Sequence, residues 1–233
     1  MILVDAGDGD PDFDAALGPL LLRHGIGDAV DIVRVYSPAP TAAFSRRDTL
    51  RPGYQRAVAA VRSAGFAPVV RPQGGSLAAQ HRGSVIIDHV HRSGPQPPDP
   101  AGRFQHFAAM HAAMLARLGV DAHVGAVPGE YCPGEYSIND GSAKLAGSAQ
   151  RITRDGWLFS TVIQVTGSAV LRGALLTAYA ALGYEFDPAT VGAIADRAPA
   201  VTVEGVRAAV LDAYGLIGPP VALPSWMATG PLS

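Results

Sequence analysis

Cys132 is the only cysteine in a chain of 233 residues, and Lys144 follows it twelve positions later among small residues. A thiolate can carry an acyl group as a thioester, and a nearby ammonium can lower a thiol pKa or polarise the acyl carbonyl. Glycine, alanine and serine around both would let backbone and substrate approach closely. Acyl transfer is the chemistry that these residue types at this spacing could perform. A lone cysteine is more often a small buried hydrophobe. Here Gly129-Glu130-Tyr131 before it and Pro133-Gly134-Glu135 after it mark a loop, and loops position chemistry more often than they fill cores. Lys144 comes just past the turn signal Asn139-Asp140-Gly141. It is expected to begin the second arm of a hairpin whose first arm, 136–139, starts after Cys132. An exposed turn lysine is the alternative at this point.

A second candidate runs from Arg71-Pro72-Gln73-Gly74-Gly75 to His81-Arg82-Gly83. A strand entering paired glycines can present bare backbone to a ligand, with Arg71 and Arg82 available to an anionic group. An ordinary strand–turn–strand hairpin would explain the same residues. His89 and His91 alternate on an expected strand beside Asp88, so their imidazoles share a face. No third residue stands at metal-binding spacing, and no metal is expected. His106 and His111 fall on different faces of an expected helix and read as solvated or locally satisfied. Gly7-Asp8-Gly9 resembles the start of a dinucleotide fingerprint, but Asp12 occupies the place of its third glycine. The sequence contains neither a P-loop nor a Gly-x-Ser-x-Gly nucleophile elbow.

Several elements must position these residues. One short helix is expected in the first thirty residues, ending near Gly25 or Gly27. The alternating Asp31–Tyr36 segment reads as a strand, stopped by Ser37-Pro38-Ala39-Pro40. Apolar positions Tyr54, Val58, Val61 and Ala64 predict a helix over 52–64, closed by Gly65. Short strands are expected at 68–71 and 84–90, with a proline-rich loop at 93–100 between the second and the next helix. The stripe Phe104, Phe107, Met110, Met114 and Leu118 predicts an amphipathic helix whose aromatic and methionine side chains serve the core. Further strands are expected at 120–127, 136–139 and 158–165, and helices at 170–182 and 203–214, the last with Thr202 as N-cap. The tail from 219 is proline-rich and reads as irregular. Strands cluster around 120–165 without a regular βαβ rhythm, so the fold class is α+β, a mixed β-sheet with flanking helices, in one domain spanning 1–233.

Bulk composition narrows the setting. Hydrophobic residues make up 48% and charged residues 16%, a globular composition. The net charge of -2 leaves no basic field for nucleic acid or an anionic membrane surface. A single cysteine excludes an intramolecular disulfide framework and a cysteine-rich zinc site and fits a reducing cytoplasm. Met1-Ile2-Leu3-Val4-Asp5 carries acid where a signal peptide carries base. The apolar run 17–22 is broken by Gly18 and Pro19, so no membrane span is expected.

The residues themselves resemble a known family. Lys144-Leu-Ala-Gly-Ser-Ala-Gln-Arg151 resembles the Lys-Ile-Ala-Gly-Ser-Ala-Gln segment of the lipoate–protein ligase A and octanoyltransferase family, within the biotin/lipoate ligase superfamily. Ser45-Arg-Arg-Asp48 is similar to its early Gly-Arg-x-Asp stretch, and Arg71-Pro-Gln-Gly74-Gly75 to its Arg-x-Ser-Gly-Gly loop. The resemblance covers about residues 31–215. Tyr131-Cys132-Pro-Gly-Glu-Tyr136 is most similar to the lipoyl amidotransferase branch, whose members read Tyr-Cys-Pro-Gly-Asp-Tyr/Phe. It implies that Cys132 is the acyl-carrying nucleophile and that Lys144 contacts the acyl carbonyl. It also implies substrate contacts for Arg71, Gly74, Gly75 and His81 on one loop and for Gly147, Ser148 and Ala149 after the lysine. The implied fold is a mixed α+β catalytic domain related to class II aminoacyl-tRNA synthetases. The implied acceptors are lipoyl carrier domains, of the glycine-cleavage H protein or 2-oxoacid dehydrogenase E2 type.

The departures from the family separate three functions. Family ligases read Gly-Gly-Gly-Ala-Val-x-His-Asp where Ser76-Leu-Ala-Ala-Gln80-His81 follows Gly75, so that His81 stands in the place of the aspartate. Phe159-Ser160 stands where a His-Gly pair is usual, and the ligases' small accessory domain is not expected after 215. Both points favour a transferase moving octanoyl or lipoyl groups through a Cys132 thioester, with no cofactor required. The alternatives are an ATP- and Mg-dependent ligase using lipoyl-AMP, and a non-catalytic protein that binds lipoate or acylated carriers.

Overall fold

The computed structural model describes residues 1–6, 10–94 and 99–229. Gly7-Asp8-Gly9 lies outside the described residues. The chain begins with strand β1 (Ile2–Asp5) and helix α1 (Pro11–His24). Asp10 caps α1 by accepting from the Phe13 N–H, Pro11 occupies the first turn, and Gly25 ends it at φ 68°. Strands β2 (Asp31–Tyr36) and β3 (Thr41–Phe44) follow, then the short helix α2 (Arg46–Thr49) and α3 (Tyr54–Ser63). The next segments are β4 (Ala67–Val70), β5 (Ala78–Gln80), β6 (Ser84–His91) and α4 (Pro100–Arg117). The second half contains β7 (His123–Val124), β8 (Ile138–Asn139), β9 (Lys144–Thr153), β10 (Gly156–Gln164), α5 (Ser168–Leu182), α6 (Val203–Ala213), β11 (Val221–Ala222) and α7 (Ser225–Thr229).

Eight strands form one mixed sheet in the order β11-β1-β2-β6-β10-β9-β8-β7, and β4-β3-β5 form a second. The β1 pairings are parallel, and from β2 through β6, β10 and β9 the large sheet is antiparallel. Alternation along these strands separates two environments. Val33, Val35, Val85, Ile87 and Ile163 face a core closed by Met114 and Leu115 of α4 and Val206 and Val210 of α6. The opposite parity, with Tyr36, Ile86, Asp88, Ser160 and Val162, faces a cavity and the small sheet beyond it. Ala42, Phe44 and Ala79 of the small sheet pack in turn on α3 and α5. Leu17, Leu21 and Leu22 of α1 close one end against Ile32, Val90 and Leu158. The class is α+β, as expected.

Three expectations change. Only His123–Val124 of the expected strand 120–127 pairs, because Val120 is drawn into the core by its N–H bond to the Leu115 carbonyl and Gly125 turns the chain at φ 156°. The expected 136–139 arm reduces to Ile138–Asn139. The tail is not wholly irregular: Val221–Ala222 pairs in parallel with β1, and α7 follows. Strands β1, β3 and β5 carried too little alternation to be expected. β3 and β5 read TAAF and AAQ, and only pairing within the small sheet, β3 with β4 and β5 with β3, makes them strands. Among the described residues no helix is long and apolar enough to cross a membrane.

Candidate active site

A cavity of about 630 Å³ lies between the two sheets, with α1 and the start of α4 along its rim. Cys132, Lys144, Arg71, Gly74, Gly75, Gly147, Ser148 and Ala149 all line it. Segments separated by more than seventy residues are therefore brought to one wall.

Every backbone and side-chain polar atom of Cys132 has a partner. Its N–H donates to the Tyr179 hydroxyl at 2.8 Å, and that hydroxyl donates to the Leu77 carbonyl. Its carbonyl accepts from Lys144 Nζ at 2.7 Å. Its Sγ accepts from the Ser76 N–H at 3.2 Å, with Arg71 Nη2 at 3.8 Å. Cys132 is also the one non-glycine residue among those described with positive φ, at 42°. A left-handed backbone at a β-carbon-bearing residue costs about 1–2 kcal/mol, and such strain persists where the surroundings over-determine it. Tyr179, Lys144 and Ser76 supply that determination and turn the sulfur into the cavity.

Lys144 opens β9 opposite Asn139, with Asp140 Oδ1 accepting from the N–H groups of Ser142 and Ala143 in the turn between. The expected hairpin therefore forms, and the lysine is buried instead of exposed. Its ammonium reaches the Cys132 carbonyl, the Tyr131 carbonyl at 3.2 Å and Glu130 Oε1 at 3.7 Å. Burial, above all, pulls this ammonium below its ordinary range, and the charges of Cys132 and Glu130 oppose the shift. Glu130 is itself buried and accepts from the Gly134 N–H and the Ser137 hydroxyl. The ammonium thus grips the main chain of the cysteine loop, while the donors on the sulfur are Ser76 N–H and Arg71. The smallness of Gly147 has a direct cause: a Cβ there would stand 2.8 Å from Lys144 Cε.

Arg71 Nη2 also donates to the Ser76 carbonyl at 2.8 Å, which fixes the turn that aims the Ser76 N–H at the sulfur. Gly75 has φ 99°, and a Cβ on it would meet Arg71 Nη2 at 2.8 Å and Cys132 Sγ at 3.0 Å. Arg47, in the Ser45–Asp48 segment, donates to Ser76 Oγ at 2.7 Å. Ser45 and Asp48 of the same segment form the capping box of α2.

His81 departs from the group. It is absent from the cavity wall, because β5 ends at Gln80 and the chain turns there. Its Nδ1 accepts from the Gly83 N–H at 2.9 Å, beside Thr166 and Gly167, and Gln80 faces the cavity in its place. His89 and His91 do share a face, and both bond Asp31 Oδ1, at 2.9 and 2.7 Å. Among the described residues no group of three or more His, Cys, Asp or Glu side chains could hold a metal ion. Sequence reasoning missed Ser76, Tyr179 and the buried role of Glu130. Only Glu130 carried a local signal, as an acid two residues before the cysteine. Phe104, expected in the core, is half-buried and lines the cavity.

The same arrangement can be set beside known proteins. The chain is 31% identical over 162 residues to the octanoyl-[GcvH]:protein N-octanoyltransferase of Geobacillus kaustophilus, covering 68% of this chain and 56% of that protein. It spans about half the length of the curated relatives it matches. A crystal structure of a lipoate–protein ligase A bound with ATP superposes with a TM-score of 0.74 at 16% identity, covering 97% of this chain and 91% of that one. The ligase of a bipartite lipoylation system from Thermoplasma acidophilum superposes with a TM-score of 0.71 at 16% identity, over 97% and 89% of the two chains. These likenesses, at such low identity, speak to the fold. The profile of the lipoyl protein ligase A/B catalytic domain matches residues 10–215, most of the sequence, and the chain belongs to that family.

Proposed function

We infer that this chain is an acyltransferase that moves an octanoyl or lipoyl group through a Cys132 thioester onto the lysine of a lipoyl carrier domain. The observation that carries this reading is a strained, half-buried sulfur on the wall of a large cavity, facing two hydrogen-bond donors. In the first step Cys132 Sγ attacks the acyl carbonyl of a donor carrier. The S–C bond forms, the carrier's C–N bond breaks, and the departing lysine amine takes up the thiol proton. In the second step the acceptor lysine's amine attacks the thioester, the C–N bond forms, and the sulfur leaves and regains a proton. Arg71 and the Ser76 N–H hold the sulfur on the cavity wall, where an acyl carbonyl can reach it. Lys144 holds the Cys132 carbonyl, and with it the loop geometry that presents the sulfur.

The relatives named for octanoyl transfer from GcvH support the donor class, and the Thermoplasma acidophilum ligase described with its E2 lipoyl domain supports the acceptor class. We read residues 1–233 as one catalytic domain acting in a reducing cytoplasm, where the lone thiol stays free. His81 has no substrate contact in this reading, which removes the family's loop acid from the adenylate question. Transfer requires no ATP or magnesium. Mass spectrometry after mixing the protein with octanoylated carrier should show a hydroxylamine-labile acyl adduct, absent in Cys132→Ala. Unchanged transfer by that variant would overturn the covalent route. AMP formation with free lipoate, ATP and magnesium would favour the ligase.

A further inference from the structure

Lys144 is the only lysine in the chain, and every other long basic side chain is an arginine. A guanidinium stays protonated and offers no nucleophilic lone pair. On the acyltransferase reading, the chain's one lysine therefore stands beside the sulfur that carries the acyl group. Its Nζ lies 2.7 Å from the Cys132 carbonyl oxygen, and that carbonyl is joined to the sulfur through Cα and Cβ alone. Both side chains line the same cavity. A primary amine in this place could capture the acyl group as an amide. An amide is more stable than a thioester, so capture would drain the intermediate.

One proton decides the matter, because an ammonium has three N–H donors and no lone pair. Two of those donors serve the Cys132 and Tyr131 carbonyls, which leaves a third direction. Burial, above all, favours the neutral amine, and the like charge of Arg71 acts the same way. The charges of Cys132 and Glu130 oppose it, and the Tyr131 ring centroid stands 5.1 Å from Nζ. Acylation removes one of these supports, since a thioester sulfur carries no charge. Glu130, buried with its Oε1 3.7 Å from Nζ, is then the anion that remains. Its Oε1 accepts from the Gly134 N–H and the Ser137 hydroxyl, and its Oε2 has no hydrogen-bond partner among the described residues. A glutamine would accept the same two bonds. What the carboxylate adds is charge.

We propose that Glu130 protects the acyl-enzyme: its buried carboxylate holds Lys144 as an ammonium and so prevents transfer of the acyl group from Cys132 Sγ to Lys144 Nζ. The proposal rests on the Cys132 thioester of the acyltransferase reading. In the prevented step the neutral Nζ attacks the thioester carbonyl. The N–C bond forms, the C–S bond breaks, and the sulfur takes the proton that the nitrogen gives up. Glu130 touches no reacting atom and acts through Lys144 as a positioning residue. The acceptor lysine of the carrier, arriving from solvent, has no such carboxylate built against it and keeps its access to the thioester.

The probe is S-octanoyl-N-acetylcysteamine, which loads Cys132 by thioester exchange and releases N-acetylcysteamine as the free thiol. Wild type, Glu130→Gln, and Glu130→Gln combined with Lys144→Arg are loaded at about pH 7. Intact mass before and after hydroxylamine, with peptide mapping, follows the adduct. The wild-type adduct should stay hydroxylamine-labile. In Glu130→Gln a hydroxylamine-resistant adduct on Lys144 should build up at least tenfold faster than in the wild type, and Lys144→Arg should abolish it. Damage to the loop alone would slow loading but would not move the acyl group to nitrogen. A resistant adduct that forms no faster in Glu130→Gln, or that maps to the Met1 amine, overturns the proposal. If Glu130→Gln neither folds nor loads, the wild type decides. Shifting the loaded wild type to about pH 9.5 should bring on the Lys144 amide, and hydrolysis to the free thiol alone overturns the proposal. Octanoylated carrier is run in parallel. If the wild type loads from the small thioester but not from the carrier, the acyltransferase reading fails, while the adduct on Lys144 still decides the role of Glu130. If neither loads Cys132, both fall.

Discussion

Replacing Lys144 by methionine should separate the lysine's hold on the cysteine loop from the chemistry of the sulfur. The ammonium is 2.7 Å from the Cys132 carbonyl, 3.2 Å from the Tyr131 carbonyl and 3.7 Å from Glu130 Oε1, and both charged side chains are buried. Methionine fills similar volume but leaves the Glu130 carboxylate in a dry site with the Gly134 N–H and Ser137 hydroxyl as its donors. Breaking a buried pair by removing one partner costs about 3–5 kcal/mol. For a chain of this size that is a Tm loss of roughly 6–20 °C. Lys144→Met combined with Glu130→Gln removes the stranded charge and should recover about 1–3 kcal/mol relative to the sum of the single changes. Calorimetric melting of the wild type, both single variants and the double variant measures this cycle, and acyl-adduct formation is followed on the same four proteins. Stability should partly return in the double variant while the adduct does not, because the Cys132 carbonyl is still unheld. A Tm loss below about 2 °C for Lys144→Met, the size expected of a surface change, would refute the idea that this ammonium pins the loop. So would a double variant no more stable than additivity predicts.

Two further outcomes follow from the geometry. Gly75→Ala places a methyl against Arg71 Nη2 and the Cys132 sulfur at φ 99°; it should cost about 1–2 kcal/mol of stability and cut acyl-adduct formation more than tenfold, and a normal adduct rate would show that the close approach is unimportant. His111 is fully buried against Tyr214, and burial, followed by the charges of His106 and His89, pushes its imidazole from 6.5 to about 3. Below pH 6.5 the unfolded chain binds a proton that the native state refuses, so stability falls as pH drops from about 6.5 toward 3. The full span is worth up to about 5 kcal/mol. Urea unfolding across that window should show a shallower slope in His111→Phe than in the wild type, and identical slopes would contradict the assignment.

Particular residues show how much of the site was readable along the chain. Cys132 between Gly129 and Gly134, Lys144 after the Asn139-Asp140-Gly141 turn, and the Gly74-Gly75 pair all announced themselves through rare types and turn-forming neighbours. The long helices were likewise legible, since their stripes and caps are local. Strands β3 and β5 were not, because TAAF and AAQ have no alternation of their own and pair only once the chain has folded back. Ser76 and Tyr179 were invisible for a related reason. Nothing near a serine in a loop or a tyrosine on α5 says that each will bond a cysteine 56 or 47 residues away.

His81 and Lys144 mark the boundary most sharply. Position in a motif put His81 beside the ligand, yet a strand that stops one residue earlier turned it toward Gly83 and brought Gln80 to the cavity instead. Position also put a cation near the thiol, and the residue types alone were enough for that. Its target, a main-chain carbonyl and not the sulfur, depended on the missing side chain at Gly147 and on a buried Glu130 waiting across the loop. Residue chemistry and local periodicity are properties of neighbours in the chain. The direction in which a side chain finally points is settled by which distant backbone atoms the closed sheets leave within reach.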